Sequence, residues 1–210
     1  MDTFIHYGIG ASVMAINDAG LEINEGNSDR VGVSIGSGIG GLPYIEKNYG
    51  NFLNSGPRKI SPFFVPSSII NMVSGNLSIM YGITGPNLSL VSACATGTHS
   101  IGDAARMIKH GYVDCMIAGG AEMATCPLGI GGFASAKALC STNNESPETA
   151  SNSMCWVGHH FSRAYDAKLL RPKNRFVGWG TTFRDPTMLN VQGPKIDLLG
   201  GTPLFESLRC

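Results

Sequence analysis

The sequence lacks long apolar runs and has few charged side chains. No run approaches the roughly 20 consecutive apolar residues that a bilayer-spanning helix needs, and no basic, apolar leader with a small-residue cleavage site is recognisable. Charged residues make up 14% of the chain, and the formal net charge is zero. We therefore expect a cytoplasmic protein that inserts into no membrane and binds no nucleic acid.

Metal-binding and disulfide patterns are also missing. The cysteines form no Cys-x-x-Cys pair, and no histidine lies at zinc-ligand spacing from them. The chain is not a short, cysteine-dense secreted domain, so a disulfide framework is not expected either. We expect reduced thiols and no metal site. The six cysteines are Cys94, Cys115, Cys126, Cys140, Cys155 and Cys210.

Helical and strand periodicities alternate through the first two thirds of the chain. The 210 residues, 43% of them hydrophobic, are enough to bury a substantial core. The apolar spacing predicts a helix capped by Asp2 and a series of further elements. Predicted helices cover residues 4–16, 44–53, 66–80, 101–108 and 134–139, and predicted strands cover residues 31–35, 88–91 and 115–118. This alternation indicates a layered α/β fold.

Residues 92–97 (Ser-Ala-Cys-Ala-Thr-Gly) place a thiol between a predicted strand and a predicted helix. A helix amino terminus favours negative charge, so we expect Cys94 to ionise more easily there than in bulk water. The same N–H groups are suited to receive the oxyanion formed when a thioester is attacked. The alternative is that Cys94 is simply a buried cysteine, as most reduced cysteines are.

Residues 36–41 (Gly-Ser-Gly-Ile-Gly-Gly) match the G-x-G-x-x-G pattern of dinucleotide-binding loops. Such a site also needs an acidic residue about 20 positions later to hold the ribose. No aspartate or glutamate occurs between Glu46 and Asp103. The pattern therefore favours a loop whose glycines permit positive φ or close backbone approach.

Three motifs in order resemble the β-ketoacyl synthases of fatty-acid synthesis, most closely the bacterial β-ketoacyl-acyl carrier protein synthases II. They are residues 92–97, residues 58–67 (Arg-Lys-Ile-Ser-Pro-Phe-Phe-Val-Pro-Ser) and residues 119–122 (Gly-Gly-Ala-Glu). The resemblance runs from Met1 to about Ser151. It implies most of the first αβα half of a thiolase-like fold, followed by an irregular tail.

The resemblance also implies a set of site residues and partners. Cys94 would be the acyl nucleophile, and its backbone N–H would also be an oxyanion donor. The substrate would be carried on the phosphopantetheine of acyl carrier protein, without a separate cofactor, by a homodimeric enzyme. The acyl pocket would include Ile39, Phe64 and Phe133. The acidic carrier protein would dock at Arg58, Lys59 and Lys137.

The resemblance stops after Ser151, which predicts a partial ketosynthase domain over residues 1–151 and an unassigned tail over residues 152–210. The tail holds 8 of the 15 basic residues but only 4 of the 15 acidic ones. Met1 aligns with an internal position of the family pattern. Our hypothesis is a truncated or frame-shifted synthase sequence, and the alternative is a diverged appendage.

The family function is condensation of an acyl-enzyme with malonyl-acyl carrier protein to 3-oxoacyl-acyl carrier protein. The family motifs N-A-H-G-T, K-S-x-x-G-H and G-F-G-G-x-N do not occur in these 210 residues, so we expect this chain to be defective in condensation. His99 lies one helical turn after Cys94, where it could form a Cys–His pair with the thiol. A histidine on a helix is more commonly buried or a cap, so we do not assign His99 this role. A thiolase, a synthase III relative and a non-catalytic fragment or dimerisation remnant remain alternatives.

Overall fold

The core of the protein is a five-stranded mixed sheet of strand order β2-β1-β3-β4-β5. The computed structural model describes residues 1–139 and the backbone of two later strands. The strands are β1 (Val31–Gly36), β2 (Asn87–Leu88), β3 (Cys115–Gly120), β4 (Ala167–Arg171) and β5 (Arg175–Gly180). β1 pairs in parallel with β2 and β3, whereas β4 pairs antiparallel with both β3 and β5.

Six α-helices accompany the sheet in the described part of the chain. They are α1 (Thr3–Asp18), α2 (Leu42–Ser55), α3 (Phe64–Ser68), α4 (Met72–Tyr81), α5 (Thr96–Lys109) and α6 (Pro127–Ser135). α1 and α4 pack on each other, and α5 packs on β1 and β3. The α/β prediction is therefore confirmed.

Alternate residues of β3 contribute to two separate apolar layers, because successive side chains of a strand point to opposite faces. One layer joins β1 and β3 to α1 and α4, with Val33, Ile117 and Phe4 at its centre. The other joins β3 to α5 through Met116 and Ile101. Every residue of both strands is buried, which is typical of parallel strands covered on both faces.

The pairing of β1 with β3 is anchored where both strands begin. The guanidinium of Arg30 binds both carboxylate oxygens of Asp114, at 2.7 and 3.0 Å, and the Asp114 N–H donates to the Arg30 carbonyl at 2.9 Å. The ion pair raises the pKa of Arg30 and lowers that of Asp114. From this anchor the register runs to Gly36 opposite Gly120, which fixes where the two strands end.

Asp2 caps two helices at once. Its Oδ1 accepts from the N–H of Phe4 at 3.3 Å, and its Oδ2 accepts from the N–H of Tyr44 in the first turn of α2 at 2.8 Å. The predicted cap of α1 is confirmed, whereas the bond to α2 has no local sequence signal. Asp2 is buried, with 3% of its surface exposed.

Three predicted elements differ from the observed ones. The single helix predicted over 66–80 is wrong, because Ile69 is extended between α3 and α4 and the Ser68 carbonyl accepts from Gly41. The strand predicted over 88–91 pairs only at Asn87–Leu88, since the Ser89 hydroxyl donates to the Ile35 carbonyl in β1. The helix predicted over 134–139 lies earlier, as α6.

Within the tail, where an irregular chain was expected, the structure has the two strands β4 and β5. Their backbones lie against β3 and α1. β4 supplies hydrogen bonds along the edge of β3 that an exposed strand would otherwise leave unpaired. The predicted boundary at residue 151 lies outside the described residues. None of the helices described here is long and apolar enough to cross a membrane.

Candidate active site

Cys94 lies in a tight turn at the carboxyl end of the sheet, immediately before α5. The turn is a single 3-10 turn, Ala93–Ala95, and α5 begins at Thr96. The thiol is exposed and forms no disulfide, so the alternative of a buried cysteine is wrong. Ala93 has a φ of +50°, a left-handed conformation that is costly for a residue with a Cβ and is typical of functional turns.

The hydroxyl of Thr96 holds this turn together. It accepts from the N–H of Ser92 at 2.9 Å and donates to the carbonyl of Ala93 at 2.7 Å. Thr96 is 1% exposed. A Cβ on Gly36 would lie 2.0 Å from the Leu90 carbonyl oxygen and 2.5 Å from the Thr96 methyl group. Only glycine at the end of β1 therefore lets the turn lie so close to the sheet.

His99 is hydrogen bonded to the residue that opens the turn. Its Nδ1 lies 2.7 Å from the Ser92 hydroxyl, and its side chain is exposed at the first turn of α5. It is therefore not buried, and its contact with Ser92 links α5 to the start of the Cys94 turn. Sequence spacing alone gave no signal for this contact.

The loop after β1 is held by a carboxylate from the segment after β3. Glu122 accepts from the Ser37 hydroxyl at 2.9 Å through Oε1 and from the Ile39 N–H at 2.9 Å through Oε2. The Ser37 hydroxyl in turn accepts from the Gly40 N–H at 3.0 Å. A Cβ on Gly38 would lie 2.8 Å from Glu122 Oε2 and 3.2 Å from the Ala93 carbonyl. The loop thus fits between Glu122 and the Cys94 turn.

These bonds also decide against a dinucleotide site at the glycine-rich loop. The N–H groups of Ile39 and Gly40 bind Glu122 and Ser37, and the Gly41 N–H donates to the Ser68 carbonyl at 3.0 Å. The Glu122 carboxyl group already accepts from this loop, so the Ile39 N–H is not available to a phosphate. The glycine loop is a packing feature.

Burial gives Glu122 unusual electrostatics. It is 7% exposed, and desolvation raises the pKa of its carboxyl, since the charged form loses water. The hydrogen bonds from Ser37 and from the backbone of the loop act in the opposite direction, because they stabilise the carboxylate. The net pKa is above the ordinary value.

The three predicted pocket residues lie on different elements around α2. Ile39, with 40% of its surface exposed, is in the loop beside the Cys94 turn. Phe64 begins α3, is half-buried and stacks on Tyr44 of α2 with ring centroids 6.4 Å apart. Phe133 is half-buried on α6. Both α3 and α6 pack on α2, which makes α2 their common support.

The predicted docking residues are exposed side chains on the same region. Arg58 and Lys59 occupy a 3-10 turn, Pro57–Lys59, that packs on the end of α2. Lys137 follows α6 and has a φ of +55°. Exposure leaves all three cations available to a partner, and their roles remain predictions.

A separate open cavity of about 450 Å³ lies towards the other end of α5, where Asp103, Arg106 and His110 face Leu88 and Tyr112. It contains no residue of the Cys94 turn. No group of three or more metal-ligating side chains occurs among the described residues.

Sequence reasoning missed the roles of Glu122 and Thr96. Glu122 belongs to a quoted motif, but its contact with Ser37 spans 85 positions and has no local signal. One signal in the sequence could have indicated this role. Glu122 is a lone acidic residue shortly after a buried strand, and a buried carboxyl group there needs hydrogen-bond donors from elsewhere in the chain.

Replacing Thr96 by valine should loosen the turn while preserving the shape of the side chain. Two hydrogen bonds are lost and a backbone N–H and carbonyl are left without this partner, which should lower the free energy of unfolding by about 1–3 kcal/mol. Urea denaturation of the full chain measures this. Thr98→Val, at an exposed position of the same helix, is the matched control and should change stability by under ~0.5 kcal/mol. Equal losses in both variants would contradict the role of Thr96.

Glu122 should make the folded state less stable as the pH rises. The folded carboxyl holds its proton above the ordinary pKa of 4.5, so its contribution is complete below that pH and is lost as the pH rises through the folded-state pKa. Relative to Glu122→Gln, which cannot ionise, the wild-type free energy of unfolding should fall as the pH rises above 4.5. A difference that is flat or rises with pH would refute this assignment.

Comparisons with known proteins match this part of the chain. The sequence model of the family "Beta-ketoacyl synthase, N-terminal domain" matches residues 1–157. The 3-oxoacyl-[acyl-carrier-protein] synthase 2 of Coxiella burnetii is 62% identical over 150 residues, which cover 71% of this chain and 36% of that protein. The synthase 2 of Vibrio cholerae is 59% identical over 151 residues, 72% of this chain and 36% of that protein. The chain thus spans about a third of the length of these relatives.

Solved structures agree with the sequence comparisons. The ketosynthase of a type II polyketide synthase, in complex with its acyl-carrier protein, superposes with a TM-score of 0.61 at 26% identity, covering 70% of this chain and 37% of the other. A β-ketoacyl synthase from Burkholderia phymatum gives a TM-score of 0.59 at 30% identity, covering 68% of this chain and 35% of the other. The predicted partial thiolase-like fold is confirmed, and the chain belongs to the β-ketoacyl synthase family.

Proposed function

We propose that this chain takes up an acyl group on Cys94 from the phosphopantetheine thioester of acyl carrier protein, in the cytoplasm. The observation that carries the proposal is the exposed thiol of Cys94 in a strained turn that leads directly into α5. In the step itself, the Cys94 thiolate attacks the thioester carbonyl. The C–S bond to pantetheine then breaks, and the pantetheine thiolate leaves with the electron pair and is protonated.

The turn is suited to stabilise the intermediate of this step. The first N–H groups of a helix lack partners within the helix and point along its axis. The N–H of Cys94 and those that follow Thr96 in the first turn of α5 are our candidates for oxyanion donors, since the Thr96 N–H already donates to the Ala93 carbonyl. Each such donor typically contributes a factor of 10² to 10³. The acyl group is activated as a thioester, so this transfer needs no separate cofactor.

The complete family reaction is condensation with malonyl-acyl carrier protein during fatty-acid elongation. Decarboxylation of the malonyl group requires stabilisation of an enolate, and the histidine motifs for this are not among these 210 residues. We propose that the 210-residue polypeptide by itself is acylated but forms no carbon–carbon bond.

The acyl chain would lie beside Ile39, with Phe64 and Phe133 lining the pocket. Ile39 is supported by its place in the loop that touches the Cys94 turn. Arg58, Lys59 and Lys137 would steer the acidic carrier protein to this region, since charges outside the contact core affect association rate more than affinity. The pocket assignment and the docking assignment both presuppose that Cys94 takes an acyl group from the carrier protein.

Acylation of the purified chain tests the proposal. Incubation with palmitoyl-acyl carrier protein should add one acyl group, which intact-mass spectrometry and peptide mapping should place on Cys94. Cys94→Ala should abolish it. Under native conditions, iodoacetamide should label Cys94 at least ~10-fold faster than the buried Cys115 and Cys126, because burial excludes reagent and raises the pKa of Cys126.

Three outcomes distinguish the alternatives. Equal acylation from palmitoyl-coenzyme A and from the carrier protein would favour a thiolase or synthase III type of substrate. No acylation, together with rapid alkylation of Cys94, would favour a non-catalytic remnant. Formation of β-ketoacyl product from malonyl-acyl carrier protein would refute the proposed lack of condensation.

We further propose that the chain associates with a second copy of itself through the edge strand β2. β2 ends the sheet, with both residues exposed and one side not paired by any described strand. Exposed apolar side chains surround it, including Ile79 at 80%, Val91 at 52% and Tyr112 at 68%. An exposed edge with apolar neighbours is a template for pairing with another chain.

Sedimentation equilibrium tests this association. The wild-type chain should sediment as a dimer, and Val91→Glu should shift it towards the monomer by at least ~10-fold in dissociation constant, because a charge at the apolar centre of an interface is costly. Met14→Glu, at a 50% exposed position on α1, is the matched control and should leave the dimer intact. A monomeric wild-type chain would exclude the proposed edge.

A further inference from the structure

Glu122 carries a buried carboxyl group that no step of the proposed acyl transfer uses. It lies two residues beyond β3, 7% exposed, and it contacts the loop after β1. Both carboxylate oxygens are engaged there, Oε1 by the Ser37 hydroxyl and Oε2 by the Ile39 N–H, each at 2.9 Å. A buried carboxylate with two donors is a costly arrangement that fixes the groups around it.

The loop has few other means of holding its shape. Four of the six residues in 36–41 are glycine, which have more conformational freedom than any other residue. Ser37, 1% exposed, passes the constraint on by accepting from the Gly40 N–H at 3.0 Å. Glu122 thus fixes the loop directly at Ile39 and indirectly at Gly40.

The same loop touches the turn that carries the thiol. The Cα of Gly38 is so close to both neighbours that an added Cβ would lie 2.8 Å from Glu122 Oε2 and 3.2 Å from the Ala93 carbonyl. Ala93 directly precedes Cys94. Glu122, the loop and the turn therefore contact one another in that order, with Gly38 between the carboxyl group and Ala93.

We propose that Glu122 is a positioning residue that holds Ile39 in place beside Cys94 and so restricts the access of long alkyl chains to the thiol. It touches no reacting atom. The proposal deepens the proposed function and rests on it for its biological role. The access of an alkyl chain to Cys94 can nevertheless be measured without acyl transfer. Without the carboxylate, the glycine-rich loop is free to move Ile39, 40% exposed, out of the path.

Two alkylating reagents test this without requiring acyl transfer. Iodoacetamide reports the reactivity of Cys94 itself, and N-dodecyl-iodoacetamide reports the same chemistry with a long chain attached. In Glu122→Ala, the ratio of the long-chain rate to the short-chain rate should rise by roughly tenfold, since small displacements near a reacting group have effects of this size. The iodoacetamide rate should stay within about twofold of wild type.

The conservative variant separates positioning from general damage. In Glu122→Gln, the amide oxygen still accepts from Ile39 and the amide NH₂ can donate to the Ser37 hydroxyl, so the ratio should stay within about threefold of wild type. Ser37→Ala removes one of the two donors and should give an intermediate ratio. If Glu122→Ala does not fold, the rate ratios of Glu122→Gln and Ser37→Ala still test the proposal. Glu25→Gln, an exposed site, should change neither rate.

The proposal would be overturned if the ratio of the long-chain to the short-chain alkylation rate were unchanged or lower in Glu122→Ala and Ser37→Ala. It would also be overturned if both alkylation rates fell equally in Glu122→Gln. Hydrogen exchange at the Ile39 and Gly40 N–H groups should accelerate in Glu122→Ala, and unchanged protection would also contradict it. If wild-type Cys94 takes no acyl group while the reagent ratios respond as expected, the proposed function fails and the role of Glu122 stands.

Discussion

The parallel pairing of β1 with β3 determines where every other part of the candidate site lies. Parallel strands end at the same edge of a sheet, so the segments that follow them converge there. The register brings Gly36 opposite Gly120, and the loop after β1 meets Glu122 as a direct result. The turn at Cys94 reaches the same edge because the chain passes from β2 beside β1. A shift of one register position would separate the carboxylate from the loop.

Much of the fold follows from local patterns in the sequence. Continuous apolar runs predicted β1 and β3, and the cap at Asp2 predicted the start of α1. The failures have tertiary causes. The break between α3 and α4 is held by a hydrogen bond from Gly41 to Ser68, a contact that joins segments 27 positions apart. Local periodicity contains no information about such a partner.

The site shows the same division. The strand-to-helix turn at Cys94 was predicted from the residues around it, because a cysteine between two periodic segments is a local feature. The roles of Thr96 and Glu122 in stabilising the turn and the loop were not predicted. Their hydrogen-bond partners are known only from the fold. The missing acidic residue predicts that the glycine-rich loop binds no dinucleotide. The carboxyl group of Glu122 that binds this loop is visible only in the fold.

The conformation of Ala93 makes the geometry around Cys94 a property of the assembled fold. A left-handed alanine costs roughly 1–2 kcal/mol. The two hydrogen bonds of the Thr96 hydroxyl within residues 92–97 offset part of that cost, but the close packing against Gly36 comes from another strand. A peptide containing only the motif would lack that contact, so the turn would be less stable in it. In folding, the turn should therefore be completed only after β1 has joined the sheet. The geometry proposed for acyl transfer would then exist only in molecules whose core is already formed, which would tie activity to correct folding.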